Sequence, residues 1–243
     1  MAQAPTLVLV TGAARNIGLE VVRQLAAKGM TVILTARDAD QAQSAAASLV
    51  ASGLKVVSHP LDVTDESSVS ALVDWVETEY GRLDVLVNNA AGFADWMEKP
   101  STADLNAVQA LMEINLYGSW RVTQAFLPLL KKSAHPRLVN VSSGAGSHGD
   151  MQFGLNTNGG SSASYGISKA ALNALTVKFA AELAGTGVLV NAVCPGLTAT
   201  APGMEAMGAR PIPEGAASIV WAATLPDNGP SGGFFRDGQP LPW

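Results

Sequence analysis

The sequence predicts a single α/β domain built on a doubly wound parallel sheet with helices on both faces. Three observations predict it. Short runs rich in Val, Leu and Ile alternate with longer helical patterns along the chain. Those runs lack the polar alternation of a half-exposed strand, so burial on both faces is expected, the habit of a parallel sheet. The 243 residues carry no linker-like stretch, internal repeat or low-complexity segment, so one domain is expected over residues 1–243.

The elements follow in order. A first strand is expected over residues 6–10, running into a glycine-bearing turn. Ile17, Val21 and Leu25 then repeat at helical spacing, and Gly29 closes that helix. A second strand is expected over residues 31–35 and a third over 55–58. Val69, Leu72, Val73 and Val76 mark a helix after Thr64, with Gly81 as its stop. The fourth strand is expected over residues 84–87, followed by a long fourth helix that holds Asn115. The fifth is expected over 137–141 and the sixth over 188–193. Residues 144–164 are rich in Gly, Ser and Asn and have no period. They read as a loop on the ligand side of the sheet, of a length that is usually functional.

Composition excludes several function classes. Hydrophobic residues make up 48% and charged residues 14%, which fits a globular core and not a disordered chain. The net charge of −5 and a pI near 5.1 speak against nucleic acid or an anionic membrane as a partner. The longest basic run is Lys131-Lys132, a solvated helix end. The longest uncharged stretch, residues 183–204, contains Gly185, Gly187, Asn191, Pro195 and Gly196, so no membrane helix is expected. With no leader-like pattern and Cys194 as the one cysteine, a cytoplasmic setting is expected. His59, His135 and His148 stand far apart without Cys partners, so no metal site is expected.

The first chemical signal is Thr11-Gly12-Ala13-Ala14-Arg15-Asn16-Ile17-Gly18 between the first strand and the first helix. Such a turn aims backbone N–H groups and the helix dipole at a pyrophosphate, and its glycines let the backbone approach closely. An ordinary strand–helix turn is the bland alternative. An enzyme for NAD places an acid at the end of the second strand, on the order of 20 residues past the glycines, to bind the ribose. Ala36 stands there instead, and Asp38 falls late. Arg37 follows Ala36, and Arg15 lies in the turn. Two guanidinium groups suit a 2′-phosphate, so NADP(H) is the expected cofactor.

Together with Tyr165-Gly166-Ile167-Ser168-Lys169 and the blocks between, this turn resembles the short-chain dehydrogenase/reductase family, a Rossmann-type fold. That family usually has a third glycine where this chain has Asn16, and Asn tolerates positive φ better than most residues. The blocks stand in the family's order. Leu61-Asp62-Val63 resembles the segment that meets the adenine, which assigns Asp62 and Val63 to the cofactor. Asn88-Asn89-Ala90-Ala91-Gly92 resembles the family's Asn-Asn-Ala-Gly turn, with Asn89 facing the cofactor's ribose and Ala90 beside it. Asn115, the pair Ser142-Ser143, and Pro195-Gly196-Leu197-Thr198 follow. Residues 35–38 and 232–237 look like the carbonyl-reductase subgroup.

On a helix, Tyr165 and Lys169 are one turn apart and share a face. Alone, that spacing is common by chance. What the resemblance implies is a ketone reductase or alcohol dehydrogenase in which Tyr165 passes the proton. Lys169 holds the nicotinamide ribose and lowers the tyrosine pKa. Ser143 bonds the carbonyl oxygen, and Asn115 holds a water on a proton path to Lys169. Pro195, Gly196, Leu197 and Thr198 pack on the carboxamide, and Cys194 reads as a small buried residue. The competing readings are an NAD-dependent alcohol dehydrogenase, against which the acid missing at Ala36 speaks, and a cofactor-sensing protein without catalysis. Epimerisation of a sugar nucleotide would need a longer C-terminal segment. The expected partner is a small carbonyl or alcohol. Relatives are commonly dimers or tetramers, and some carbonyl reductases are monomers.

One further expectation concerns substrate choice. Met151, Phe153 and Leu155 form an apolar island at alternate positions. In an extended segment they would share a face. That face would form one wall of an apolar pocket with Phe93, Trp96 and Met204, or pack on the protein's own surface.

Overall fold

A computed structural model describes residues 5–243. Its eight-stranded sheet has the order β3-β2-β1-β4-β5-β6-β7-β8. The strands are β1 (Leu7–Val10), β2 (Thr31–Ala36), β3 (Val56–Pro60), β4 (Val85–Asn88), β5 (Arg137–Val141), β6 (Leu189–Val193), β7 (Phe234–Arg236) and β8 (Gln239–Pro240). All pairs are parallel except β7 with β8. The first six match the expected strands to within two residues.

The helices are α1 (Asn16–Ala27), α2 (Ala39–Ala51), α3 (Glu66–Tyr80), α4 (Leu105–Met112), α5 (Ser119–Leu130), α6 (Ala163–Glu182) and α7 (Ile212–Ala223). They sort onto the two faces by strand alternation. Val8, Val10, Val32 and Leu34 point to the layer of α1, α2 and α7, where Val21, Leu25, Ala46 and Ile219 pack. Leu7, Leu9, Ile33 and Leu86 point to the layer of α3, α5 and α6, where Leu72, Phe126 and Leu175 pack. Burial on both faces explains why the strands carry no polar alternation.

Helix ends follow local chemistry. Asp38 and Asp65 accept backbone N–H bonds at the starts of α2 and α3. Gly81, left-handed at φ 71, ends α3 as expected. The expected long fourth helix is α4 and α5 joined through a π-helical turn, Glu113–Gly118, with Asn115 inside it.

Strands β7 and β8 were not anticipated. They form a hairpin whose two-residue turn, Asp237 (φ 55) and Gly238 (φ 73), has both residues left-handed. Asp-Gly is the sequence signal for that turn. Residues 144–164 form no extended segment. They hold two single turns, Gly144–Gly146 and Asn158–Gly160, and enter α6 at Ala163. Among the described residues, no helix is long and apolar enough to cross a membrane, and no cluster of His, Cys, Asp and Glu could hold a metal.

Candidate active site

The sheet's order reverses between β1's two neighbours, β2 and β4, which opens a crevice at the carboxyl ends of the strands. The turn after β1 forms one wall. Gly12 is left-handed at φ 62, and a Cβ there would lie 2.7 Å from the Ala90 Cα. A Cβ on Gly18 would lie 2.6 Å from the Asn89 amide nitrogen. Both positions therefore need glycine. Asn16 stands at φ 50, the left-handed conformation that asparagine adopts more readily than most residues. Arg15 precedes α1 in extended conformation without a side-chain cap, and the first turn of α1 carries no acid. Exposed N–H groups and the positive end of the helix dipole at Arg15, Asn16 and Ile17 fit a phosphate.

Asn89 has a role that sequence reasoning missed. Its amide nitrogen donates to the carbonyl oxygens of Thr11 (2.8 Å) and Gly12 (3.0 Å). Thr11 Oγ1 in turn accepts from the N–H groups of Asn89 and Ala90. The amide nitrogen of Asn89 thus braces the turn. At the end of β2, Asp38 is occupied in capping α2, and Ala36 is half-buried. Arg15 and Arg37 are exposed, and their side chains make no ion pair or hydrogen bond among the described residues. Asp62 folds into a tight turn, accepting from the Thr64 N–H and hydroxyl. Val63 is buried against Gly118, where a Cβ would come within 2.7 Å of Val63 Cγ2.

The opposite wall belongs to β5 and α6. Tyr165 and Lys169 share a face, with Lys169 Nζ 5.7 Å from the tyrosine ring centroid. Lys169 is 2% exposed, and its Nζ donates to the Val141 carbonyl oxygen at 2.9 Å. Burial pulls its pKa down to about 8. Burial pushes the Tyr165 phenol above the ordinary range, opposed by the neighbouring Ser143 hydroxyl, which favours the phenolate. The chain alone therefore keeps Tyr165 protonated. Of the two serines ending β5, Ser142 is buried and donates to Asn173 Oδ1 at 2.6 Å. Ser143 is the one beside the phenol.

The Asn115 amide nitrogen donates to Gly92 O (3.1 Å) and Ser168 Oγ (3.0 Å), and its Oδ1 accepts from Gly92 N (2.7 Å). The side chain staples the π turn to the loop after β4 and to α6. That turn brings Asn115 within reach of both elements.

Beyond β6, Gly196 is left-handed at φ 74 and packs on the Arg210 guanidinium. Arg210 Nε donates to Pro195 O, and the buried Thr198 hydroxyl donates to Pro195 O and Gly196 O. Leu197 lines a cavity of about 270 Å³ together with Gln152, Phe153, Met207 and Arg236. Cys194 is buried, as expected, and its Sγ accepts from Gly144 N, Gly196 N and Arg236 Nη2, which ties the segments after β5 and β6 to β7.

The apolar island does not share a face. Asp150 Oδ1 accepts from the N–H groups of Gln152 and Phe153, and Gly154 N donates to Asp150 O, so the segment coils. Met151 is exposed, Leu155 packs near Gly166, and only Phe153 reaches the cavity. Its neighbours there are Leu197 and Met207, not Phe93, Trp96 and Met204. Phe93 stacks on Tyr165 instead, with ring centroids 5.2 Å apart and planes at 21°.

Residues 6–209 match the family profile described as short chain dehydrogenase. The chain belongs to the short-chain dehydrogenase family. Its relatives in that family include an NADPH carbonyl reductase of Sus scrofa, 34% identical across 100% of this chain and 96% of the relative. Two solved short-chain dehydrogenase structures are similar over nearly their full lengths. One is an NADPH-bound carbonyl reductase from chicken fatty liver, with TM-score 0.86 and 29% identity over 99% of this chain and 100% of that one. The other is salutaridine reductase from Papaver somniferum, with TM-score 0.80 and 32% identity over 96% and 99%. The protein is an oxidoreductase of this family.

Proposed function

We propose that the protein interconverts a small ketone or aldehyde and its alcohol by hydride transfer with NADP(H), with Tyr165 as general acid and base. The observation that carries this reading is the convergence of Ser143, Tyr165 and Lys169 at the carboxyl end of β5. When bound, the cofactor supplies the hydride and, in its oxidised form, a positive charge beside the phenol. The chain's own residues do the rest. Ser143 donates a hydrogen bond to the carbonyl oxygen, and the phenol of Tyr165 gives it a proton. Lys169, buried beneath that ring, favours the resulting tyrosinate through its ammonium and holds a ribose hydroxyl. Asn115 fixes α6 through Ser168, so that both groups face the crevice.

The cofactor side rests on Gly12, Asn16, Ile17 and Gly18 for the phosphates and on Arg15 and Arg37 for the 2′-phosphate. Both arginines are free to turn toward an anion, and Asp38, the first acid after the end of β2, is occupied. Asp62, Val63, Asn89 and Ala90 shape the adenine and ribose walls, and Pro195, Gly196, Leu197 and Thr198 the nicotinamide wall. The relatives named for NADPH carbonyl reduction support the same assignment. A cytoplasmic location fits the single buried, unpaired cysteine.

The test is a panel of ketones and aldehydes with NADPH and then NADH, followed at the nicotinamide absorbance. Turnover preferring NADPH is expected. A preference for NADH would overturn the cofactor assignment, and cofactor binding without turnover on any carbonyl would overturn the catalytic one.

A further inference from the structure

The helix that carries Tyr165 and Lys169 begins without a cap of its own. A helix start leaves N–H groups unpaired, and a Ser at the N-cap ordinarily accepts one of them. Ser162 holds that position in α6 but stands in the left-handed region, φ 49 and ψ 42, and makes no cap bond. Its hydroxyl donates to the Trp96 carbonyl oxygen instead, at 3.5 Å. The missing acceptor comes from far away in sequence. Glu98 Oε2 accepts from Ser164 N at 2.7 Å and from Ser164 Oγ at 2.6 Å. Ser164 is 3% exposed, and Tyr165 is the next residue.

The segment around Glu98 makes further ties to the same place. Phe93 stacks on the Tyr165 ring while remaining 72% exposed. Lys99 Nζ donates to the carbonyl oxygens of Asn158 (3.2 Å) and Gly159 (2.9 Å), in the last turn before α6. Residues 93–99 thus strap the loop after β4 to the start of the helix with a ring stack, a carboxylate and an ammonium.

We infer that Glu98 is a positioning residue for Tyr165, supplying from outside the cap that α6 lacks. The inference rests on the proposed role of Tyr165. A carboxylate at a helix N-terminus is favoured by the dipole, and bonds to it are charge-assisted. Ala163, Ser164 and Tyr165 are the first three residues of α6, so fraying of that turn releases the phenol itself. Hydride and proton transfer need the reacting atoms aligned, and small displacements slow such steps strongly.

The experiment compares Glu98→Ala with Glu98→Gln, which keeps an acceptor oxygen. Two readouts are taken on the full chain: kcat and KM for a ketone with NADPH, and amide hydrogen exchange of residues 163–166 without cofactor. Glu98→Ala is expected to lower kcat by about five- to tenfold with KM little changed, and to speed exchange in that turn. Glu98→Gln is expected to restore most of both. Wild-type values in Glu98→Ala would overturn the inference, and so would equal losses in the two variants. Should Glu98→Ala fail to fold, Ser164→Ala removes one of the two bonds and must move kcat and exchange together; movement of neither overturns the inference. If the wild-type protein turns over no carbonyl at all, the proposed function falls, while the exchange result still decides whether Glu98 caps the helix.

Discussion

Replacing Lys169 by Met removes the one buried ammonium at the crevice and exposes what its burial costs. The lysine is 2% exposed, and its pKa falls from 10.5 to about 8. The folded state therefore gives up this proton more readily than the unfolded chain. Below about pH 8 both states hold the proton, and the cost of burying the charge is fully present. Between about 8 and 10.5 only the unfolded state holds it, so stability contributed at this site rises with pH. At 1.36 kcal/mol per pKa unit, the whole swing is about 3 kcal/mol, against which the Nζ bond to Val141 O contributes about 1 kcal/mol. Lys169→Met is thus expected to be the more stable protein near pH 7, with the advantage shrinking and reversing toward pH 10. The assay is denaturant unfolding of both proteins without cofactor, from pH 6.5 to 10. Taking the difference cancels the tyrosines and lysines remote from this site. A difference that stays flat between pH 8 and 10 would refute the claim that Lys169 is buried at a real electrostatic cost.

Two further predictions concern the walls of the crevice. Arg37→Ala should weaken NADPH by about 1.5–3 kcal/mol, the scale of a charged hydrogen bond, and leave NADH nearly unchanged in fluorescence titrations; equal losses for both would make Arg37 structural. Phe153→Ala should change the ratio of kcat/KM between a small and a bulky ketone by several-fold or more, because Phe153 shares its cavity with Leu197 and Met207; an unchanged ratio would put the substrate elsewhere.

Strands buried on both faces leave a strong mark in sequence, and β1 through β6 are legible for that reason. The hairpin of β7 and β8 is not, because its strands have three and two residues and show no period. Its Asp237-Gly238 turn was the available signal. Within the site, Asn16 was readable because its conformation is a local property of the chain. The coiled shape of residues 150–155 was not, since it depends on Asp150 turning back onto the N–H groups of Gln152 and Phe153. Alternation of apolar residues indicates a shared face only where the backbone is extended. Glu98 left no sequence signal at all: its partner lies 66 residues away, and only the folded crevice brings the two together. Asn89 and Asn115 stood out in sequence, but the bonds that occupy their amides are long-range and appear only in the fold.

The central claim is that Tyr165 moves the proton, and Tyr165→Phe tests it most directly by removing the hydroxyl alone. The measurement is single-turnover oxidation of NADPH by a saturating ketone, with NADPH affinity determined separately on the same protein. The account predicts a fall of at least about 10²-fold in rate with cofactor affinity retained. A near-normal rate would contradict it and take Tyr165 out of the reacting centre.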